Sequence, residues 1–254
     1  MLCLSELATL VRHRLPVRVL LFNNRIYGLT KGQYSPTSEH GKVTKSTPLG
    51  SVDHPFNPIS VAIGAEGTFV ARTIDVEAKH LQDVVRQAYE HKGTSFVEIL
   101  QNCNIFNDGA FADLTEKDRK GDTQLVLAHG KPLVFGKNND KGIRMRGHSL
   151  EVVQLDSRAR ESDLIVHDEK DPNPAYAFLL SRMDATPGFP TPLGVLRAEE
   201  SVKPPAAKSL RKSASVRSRP VTLTSMLRSI RVPPWSRGSP SVTRSGSTRS
   251  KTIR

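Results

Sequence analysis

Apolar positions along the chain change period in step with the elements they predict. Val17, Val19, Leu20, Leu21 and Phe22 form a short, nearly continuous apolar run. That is the pattern of a strand covered on both faces of a parallel sheet. The small-residue stretch 57–65 (NPISVAIGA) predicts a helix, and 69–74 (FVARTI) a strand. From 76 to 91 the period is helical: Leu81, Val84, Val85 and Ala88 recur at i, i+3, i+4 and i+7. Glu77, Lys79, Asp83, Arg86 and Glu90 are left to face water. A further buried strand follows at 96–100. Strand, helix and strand in about thirty residues make one crossover unit with parallel strands.

Beyond Asp108 the pattern is weaker. Residues 125–127 and 131–135 predict a hairpin around His129 and Gly130, and 142–153 two further short strands. Residues 163–169 (DLIVHDE) predict a strand, and 171–184 a helix with Pro172 and Pro174 near its start, where a missing amide costs little. The fold class is α/β, a parallel sheet with helices on both faces, followed by a small C-terminal extension. The first two hundred residues suffice for one such domain with a sizeable core. The expected divisions are 1–110, 111–200 and a tail, 201–254.

Charge separates that tail from the rest. The chain of 254 residues carries a formal charge of +12, and 13 of its 37 Lys and Arg follow Glu200, where no acid occurs. The first two hundred residues are therefore close to neutral. Residues 201–254 are rich in Ser, Arg and Pro with one aromatic, Trp235, the composition of a disordered segment. Clustered basic residues release counterions from nucleic-acid phosphates, and an acidic surface would attract them as well. The composition breaks where GVLRAEE ends, which favours a tail translated from a shifted reading frame, so nucleic acid is not the expected partner. No run of eighteen apolar residues exists to span a membrane. The start, with Glu6 and no convincing apolar h-region, argues against a signal peptide. Two cysteines and no disulfide framework make the cytoplasm the expected compartment.

Candidate chemistry gathers where the first strand ends. Open parallel sheets bind ligands beyond the carboxyl ends of their strands, and Asn23, Asn24, Arg25 and the backbone of 26–29 fall there. A side-chain amide oxygen and a main-chain carbonyl are acceptable donors for Mg²⁺ beside phosphates or carboxylates. The same Asn-Asn pair also reads as a plain turn, because Asn tolerates left-handed backbone. Cys103, just past the strand at 96–100, reads from composition as a small buried hydrophobe. His129, His148 and His167 match no zinc spacing and read as solvated or hairpin histidines.

The run NNRIYGLTKGQYSPTS resembles the end of the thiamine diphosphate motif in the β subunits of 2-oxoacid:ferredoxin oxidoreductases, the 2-oxoglutarate type above all. LQNCNIFND is similar to the segment of that family holding the fourth, sequence-distant ligand of a [4Fe–4S] cluster, and KGIR, LIVHDE and FPTPLGVLR to its C-terminal extension. The similarity spans roughly residues 15–200. It implies that Asn24 and the Ile26 carbonyl bind Mg²⁺, that the backbone of Tyr27, Gly28 and Leu29 lines the diphosphate, that Lys31 faces the substrate carboxylate, and that Cys103 binds the cluster. It also implies oxidative decarboxylation of a 2-oxoacid to an acyl-coenzyme A, with electrons passing to ferredoxin and an α subunit completing the cofactor site.

The family's Gly-Asp-Gly, its Cys-x-x-Cys pair and a third cysteine have no counterpart here, and Cys3 is not carried over. The chain is therefore expected to be the C-terminal part of such a subunit, by truncation, a misplaced start or a split gene, and to bind thiamine diphosphate weakly or not at all. A non-cluster thiamine decarboxylase or ligase would account for Asn-Asn but not for LQNCNIFND. A non-catalytic basic binding protein would have to act through the tail.

Overall fold

The computed structural model describes residues 4–156 and 160–199. The tail and Cys3 lie outside the described residues. Eight strands and six α-helices alternate: α1 (Leu4–Arg12), β1 (Arg18–Asn23), α2 (Pro58–Gly64), β2 (Phe69–Ile74), α3 (Ala78–Glu90), β3 (Ser95–Leu100), α4 (Ala112–Thr115), α5 (Lys120–Thr123), β4 (Gln124–Val126), β5 (Val134–Phe135), β6 (Lys141–Arg146), β7 (Ser149–Gln154), α6 (Pro174–Ser181) and β8 (Thr191–Ala198). Among the described residues they form a five-stranded sheet in the order β1-β3-β2-β8-β4 and a three-stranded sheet β5-β6-β7.

The expected crossover holds. β1 and β2 both run parallel to β3, in a register that ends with Asn23 and Ile74 flanking Leu100. Alternation along the strands feeds two separate cores. Val70, Phe96 and Leu196 point to the face covered by α1, α2 and α6, where Leu7, Val11, Ile59, Ile63 and Leu180 meet them. Phe69, Ala71, Val97, Ile99 and Val195 point to the other face, against Val84 and Ala88 of α3. The C-terminal end of α3 is capped by Arg18, whose guanidinium donates to the carbonyls of His91 (2.7 Å), Gly93 (3.3 Å) and Tyr89. A cation there offsets the helix dipole and satisfies carbonyls that lack an intrahelical partner.

Three expectations change. β1 is an edge strand, not one covered on both faces. Val19 and Leu21 pack against the core on the α1 side, while Leu20 and Phe22, 40% and 58% exposed, lie beyond the reach of α3. The sheet is mixed, because β8 pairs antiparallel with β2 and parallel with β4. β8 falls within FPTPLGVLR, so the sheet draws strands from both sides of residue 110. Gly194 allows this close approach: its φ is +127°, and a Cβ there would sit 3.0 Å from the Leu127 carbonyl oxygen. The hairpin expected at 125–135 is absent. Leu125 and Leu127 are drawn into the main sheet beside β8, and β5 turns away to pair with β6.

Of the remaining elements, all but the strand expected at 163–169 follow their local signals. The β6–β7 hairpin forms within the stretch expected to give two strands. Residues 163–169, expected to form a strand, make only an isolated antiparallel bridge, Val166 with Pro132, closed by the Leu133 amide on the Ile165 carbonyl and the His167 amide on the Lys131 carbonyl. α6 starts at Pro174 after Asn173, whose side chain accepts from the Ala175 amide at 3.0 Å. α2 starts in the same way after Asn57, whose amide nitrogen also reaches the Ser181 carbonyl at 2.6 Å and ties α2 to α6.

Edge position has a measurable signature. Ile99→Ala, in the doubly covered β3, should cost about 2–5 kcal/mol in urea unfolding. Leu20→Ala, on the open face of β1, should cost less than about 1 kcal/mol. Equal losses would mean that β1 is covered after all.

Candidate cofactor site

The three parallel strands deliver their carboxyl ends to one place, and a buried ion pair organises it. Arg72 of β2 donates from Nε to Glu98 Oε2 of β3 at 2.7 Å, and from Nη2 to Asp184 Oδ2 at 3.1 Å. Both members of the Arg72–Glu98 pair are withdrawn from water. Burial works against the Arg72 cation, but Glu98 and Asp184 beside it hold its pKa above the ordinary arginine value. The second Glu98 oxygen accepts from Asn23 Nδ2 at 2.8 Å, so the last residue of β1 is locked to the same carboxylate.

The chain then turns out of the sheet through two consecutive side-chain turns. Asn23 Oδ1 accepts from the Arg25 amide at 3.1 Å and from Thr37 Oγ1 at 2.7 Å. Asn24 Oδ1 accepts from the Ile26 amide at 3.2 Å. Such turns are what Asn does readily at a strand end, and they hold Arg25 at φ +54°. Beyond them, 27–33 forms a small reversal: the Tyr27 amide donates to the Gln33 carbonyl at 2.8 Å, and the Gly32 amide to the Tyr27 carbonyl at 2.9 Å. Lys31 and Gly32, at φ +64° and +95°, make the bend.

The second landmark lies against the first. Asn107 Nδ2 donates to the Asn24 carbonyl at 2.9 Å, and its own amide closes back on the Cys103 carbonyl, also at 2.9 Å. The Phe106 ring packs under the reversal, 3.3 Å from where a Cβ on Gly32 would sit. Asn107 and Phe106 are contacts that spacing did not single out; they join two loops that lie far apart in sequence.

Asn24 is half-buried and Ile26 buried, whereas Tyr27, Gly28, Leu29 and Lys31 are exposed, Leu29 at 99%. Asn23 is spent on structure. Asn24 Oδ1 has one protein donor and keeps a second lone pair. The other oxygen donor that the resemblance implies, the Ile26 carbonyl, is also neutral, and the loop from Asn23 to Gln33 holds no acid. Such a pair fits Mg²⁺ when further anionic oxygens, such as those of a diphosphate, complete the shell. Among the described residues no group of three or more His, Cys, Asp or Glu is placed to hold a metal. Cys103, half-buried, is a single free cysteine, and one cysteine does not fit a [4Fe–4S] cluster, which takes four.

The histidines divide. His129 is half-exposed, 3.5 Å from Asp168. His167, expected in solvent or in a hairpin, is instead buried at 1% exposure. Its Nε2 lies 2.8 Å from the Val195 carbonyl and its Nδ1 3.0 Å from the Tyr176 hydroxyl. A carbonyl only accepts, so Nε2 carries the proton and Nδ1 accepts from Tyr176. Burial pushes the His167 pKa below the ordinary histidine value, against the opposing pull of the Val195 carbonyl.

Residues 1–99 match the family "Thiamine pyrophosphate enzyme, C-terminal TPP binding domain". The chain is 50% identical over 193 residues to the 2-oxoglutarate oxidoreductase subunit KorB of Mycobacterium tuberculosis, covering 76% of this chain and 51% of that one. It is 41% identical over 104 residues to subunit beta of the 2-oxoacid:ferredoxin oxidoreductase 1 of Aeropyrum pernix, covering 41% and 33% of the two chains. The chain thus spans about half the length of the first relative and a third of the second. A chain of the solved 2-oxoglutarate:ferredoxin oxidoreductase from Magnetococcus marinus, with 2-oxoglutarate, coenzyme A and succinyl-CoA bound, shares the fold. Its TM-score is 0.57 at 22% identity, over 90% of this chain and 62% of that one. No helix of the described residues is long and apolar enough to cross a membrane.

Arg72→Ala leaves Glu98 buried without its cation and should cost about 3–5 kcal/mol in urea unfolding. Adding Glu98→Gln should recover part of that loss. His167 sets a pH dependence: unfolded, it titrates near the ordinary value of about 6.5, and folded, lower. The unfolded chain therefore binds more protons in between, so stability should fall as pH drops below about 6.5. His167→Gln should flatten that slope, with His80, also lowered chiefly by burial, retaining a share.

Proposed function

We propose, from the kinship of this chain with β subunits of 2-oxoacid:ferredoxin oxidoreductases over about half their length, that it is the thiamine diphosphate-binding part of such a subunit, with 2-oxoglutarate as substrate. Thiamine diphosphate, when bound, supplies the nucleophilic carbon and the electron sink for decarboxylation of a 2-oxoacid.

The residues of this chain bind and orient. The Asn24 side-chain oxygen and the Ile26 carbonyl give Mg²⁺ two neutral donors, so the ion keeps its full charge for the diphosphate. The backbone of Tyr27, Gly28 and Leu29 lines that diphosphate. Lys31 supplies a point charge for the carboxylate of the 2-oxoacid. Asn107 and Phe106 keep the two loops in register, and the Arg72–Glu98 pair holds Asn23 so that the turn cannot swing away. Cys103 is proposed as one ligand of a [4Fe–4S] cluster that the described residues alone do not build. An α subunit, ferredoxin and coenzyme A are the partners this reading requires.

What supports it above all is the 24–26 turn: a half-buried amide oxygen folded over a main-chain amide at the carboxyl end of a parallel strand, inside a sequence half identical to its relative. Calorimetric titration of the chain with thiamine diphosphate should show weak binding that requires Mg²⁺. Asn24→Ala should weaken it by about tenfold or more, the usual effect of disturbing a metal's protein shell. Binding of equal strength with Mg²⁺ chelated would sink the reading.

A further inference from the structure

A cavity of about 500 Å³ opens at the same end of the sheet, lined by Asn23 and Arg25 of the Asn-Asn turn. None of Asn24, Ile26, Tyr27, Gly28, Leu29, Lys31 or Cys103 lines it. Its wall includes Arg25, Arg182 and the stacked imidazoles of His40 and His54, whose ring centres are 5.5 Å apart with 20° between their planes.

The charges around this cavity are unevenly spent. Three acids line it, and each already has a cation: Glu98 and Asp184 are held by Arg72, and Glu39 by Lys42 at 2.8 Å. Among the described residues no hydrogen bond or ion pair ends on the guanidinium of Arg25 or of Arg182. Counting Lys42, four cations face three acids. Arg25 is also held unusually firmly for an unpaired arginine. Its backbone is at φ +54°, its amide is held by Asn23, and its carbonyl accepts from Ser38 Oγ at 2.5 Å and from Asn107 Nδ2 at 3.4 Å. Its guanidinium lies 4.5 Å from the centre of the Phe111 ring.

A fixed, partly desolvated guanidinium without an acceptor is a pre-organised fork for an oxyanion. The cavity is larger than a bare ion needs, and Pro55, Phe56 and the imidazole pair give it flat or apolar wall for an organic body.

We infer that this cavity binds a small organic oxyanion, a carboxylate or a phosphate ester, on Arg25 and Arg182, with none of the groups proposed to hold the cofactor in its lining. The test is calorimetric titration of the full chain with malonate and with inorganic phosphate, at constant ionic strength, in the wild type and two variants. Arg25→Asn keeps a residue that tolerates left-handed backbone and removes the fork. Arg182→Ala removes an exposed side chain with no bonds to lose. Saturable binding of either anion, weakened about tenfold or more in both variants, is the expected result. Stronger malonate binding would assign a carboxylate, and stronger phosphate binding a phosphate ester. No saturable binding of either anion, or binding that both variants leave unchanged, overturns the inference. Thiamine diphosphate is absent from the titration, so failure would leave the reading of the Asn24 loop untouched.

Discussion

Arg72 and Glu98 meet 2.7 Å apart between β2 and β3, both out of water, and the geometry of the candidate site hangs on that pair. Each buried ion forfeits several kcal/mol of hydration, recovered only when its remaining donors and lone pairs are also met. Here they nearly all are. Glu98 accepts from Asn23 as well, and Arg72 reaches Asp184, with only Arg72 Nη1 left without an acceptor. The requirement to satisfy one buried carboxylate thus draws in the ends of three strands and the turn after α6. A one-residue slip of β1 against β3 would pull Asn23 off Glu98 and turn Leu21 out of the core.

That anchoring makes the loop beyond it informative. Asn23 is consumed by the anchor, whereas Asn24, one residue on, spends a single lone pair on the Ile26 amide. The donors left over are neutral. A cation held there keeps most of its charge, which suits a site that must neutralise phosphates supplied by a ligand. On the other flank the same constraint leaves Arg25 with no acid of its own, because Arg72 has already taken Glu98 and Asp184. One ion pair therefore divides the end of the sheet into a neutral oxygen-donor turn and a cavity with cations to spare.

The exposed face of β1 follows from topology. α1 covers Val19 and Leu21, but α3 spans β2 and β3 and leaves Leu20 and Phe22 open. A parallel edge strand with one apolar face uncovered is a surface that protein usually covers.

Local pattern was enough for much of this. The strand 69–74, the amphipathic helix read at 76–91 and found at Ala78–Glu90, the parallel pairing of β2 and β3 and the Asn-Asn turn all follow from side-chain periodicity and from the ability of Asn to bond its own backbone. These depend on residues within a few positions of one another, which the order of amino acids states directly. Other features were settled only by contacts between distant segments: the edge position of β1, the antiparallel entry of β8, the burial of His167 under Tyr176, the Arg72–Glu98 pair, and the grip of Asn107 on Asn24. An apolar run reads the same whether a helix covers it or solvent meets it, and an arginine in a strand reads the same whether its carboxylate is beside it or absent. The sequence by itself determined which faces are apolar and where the chain turns; the tertiary structure decided which of those faces are paired, because the partner of each buried group lies elsewhere in the chain.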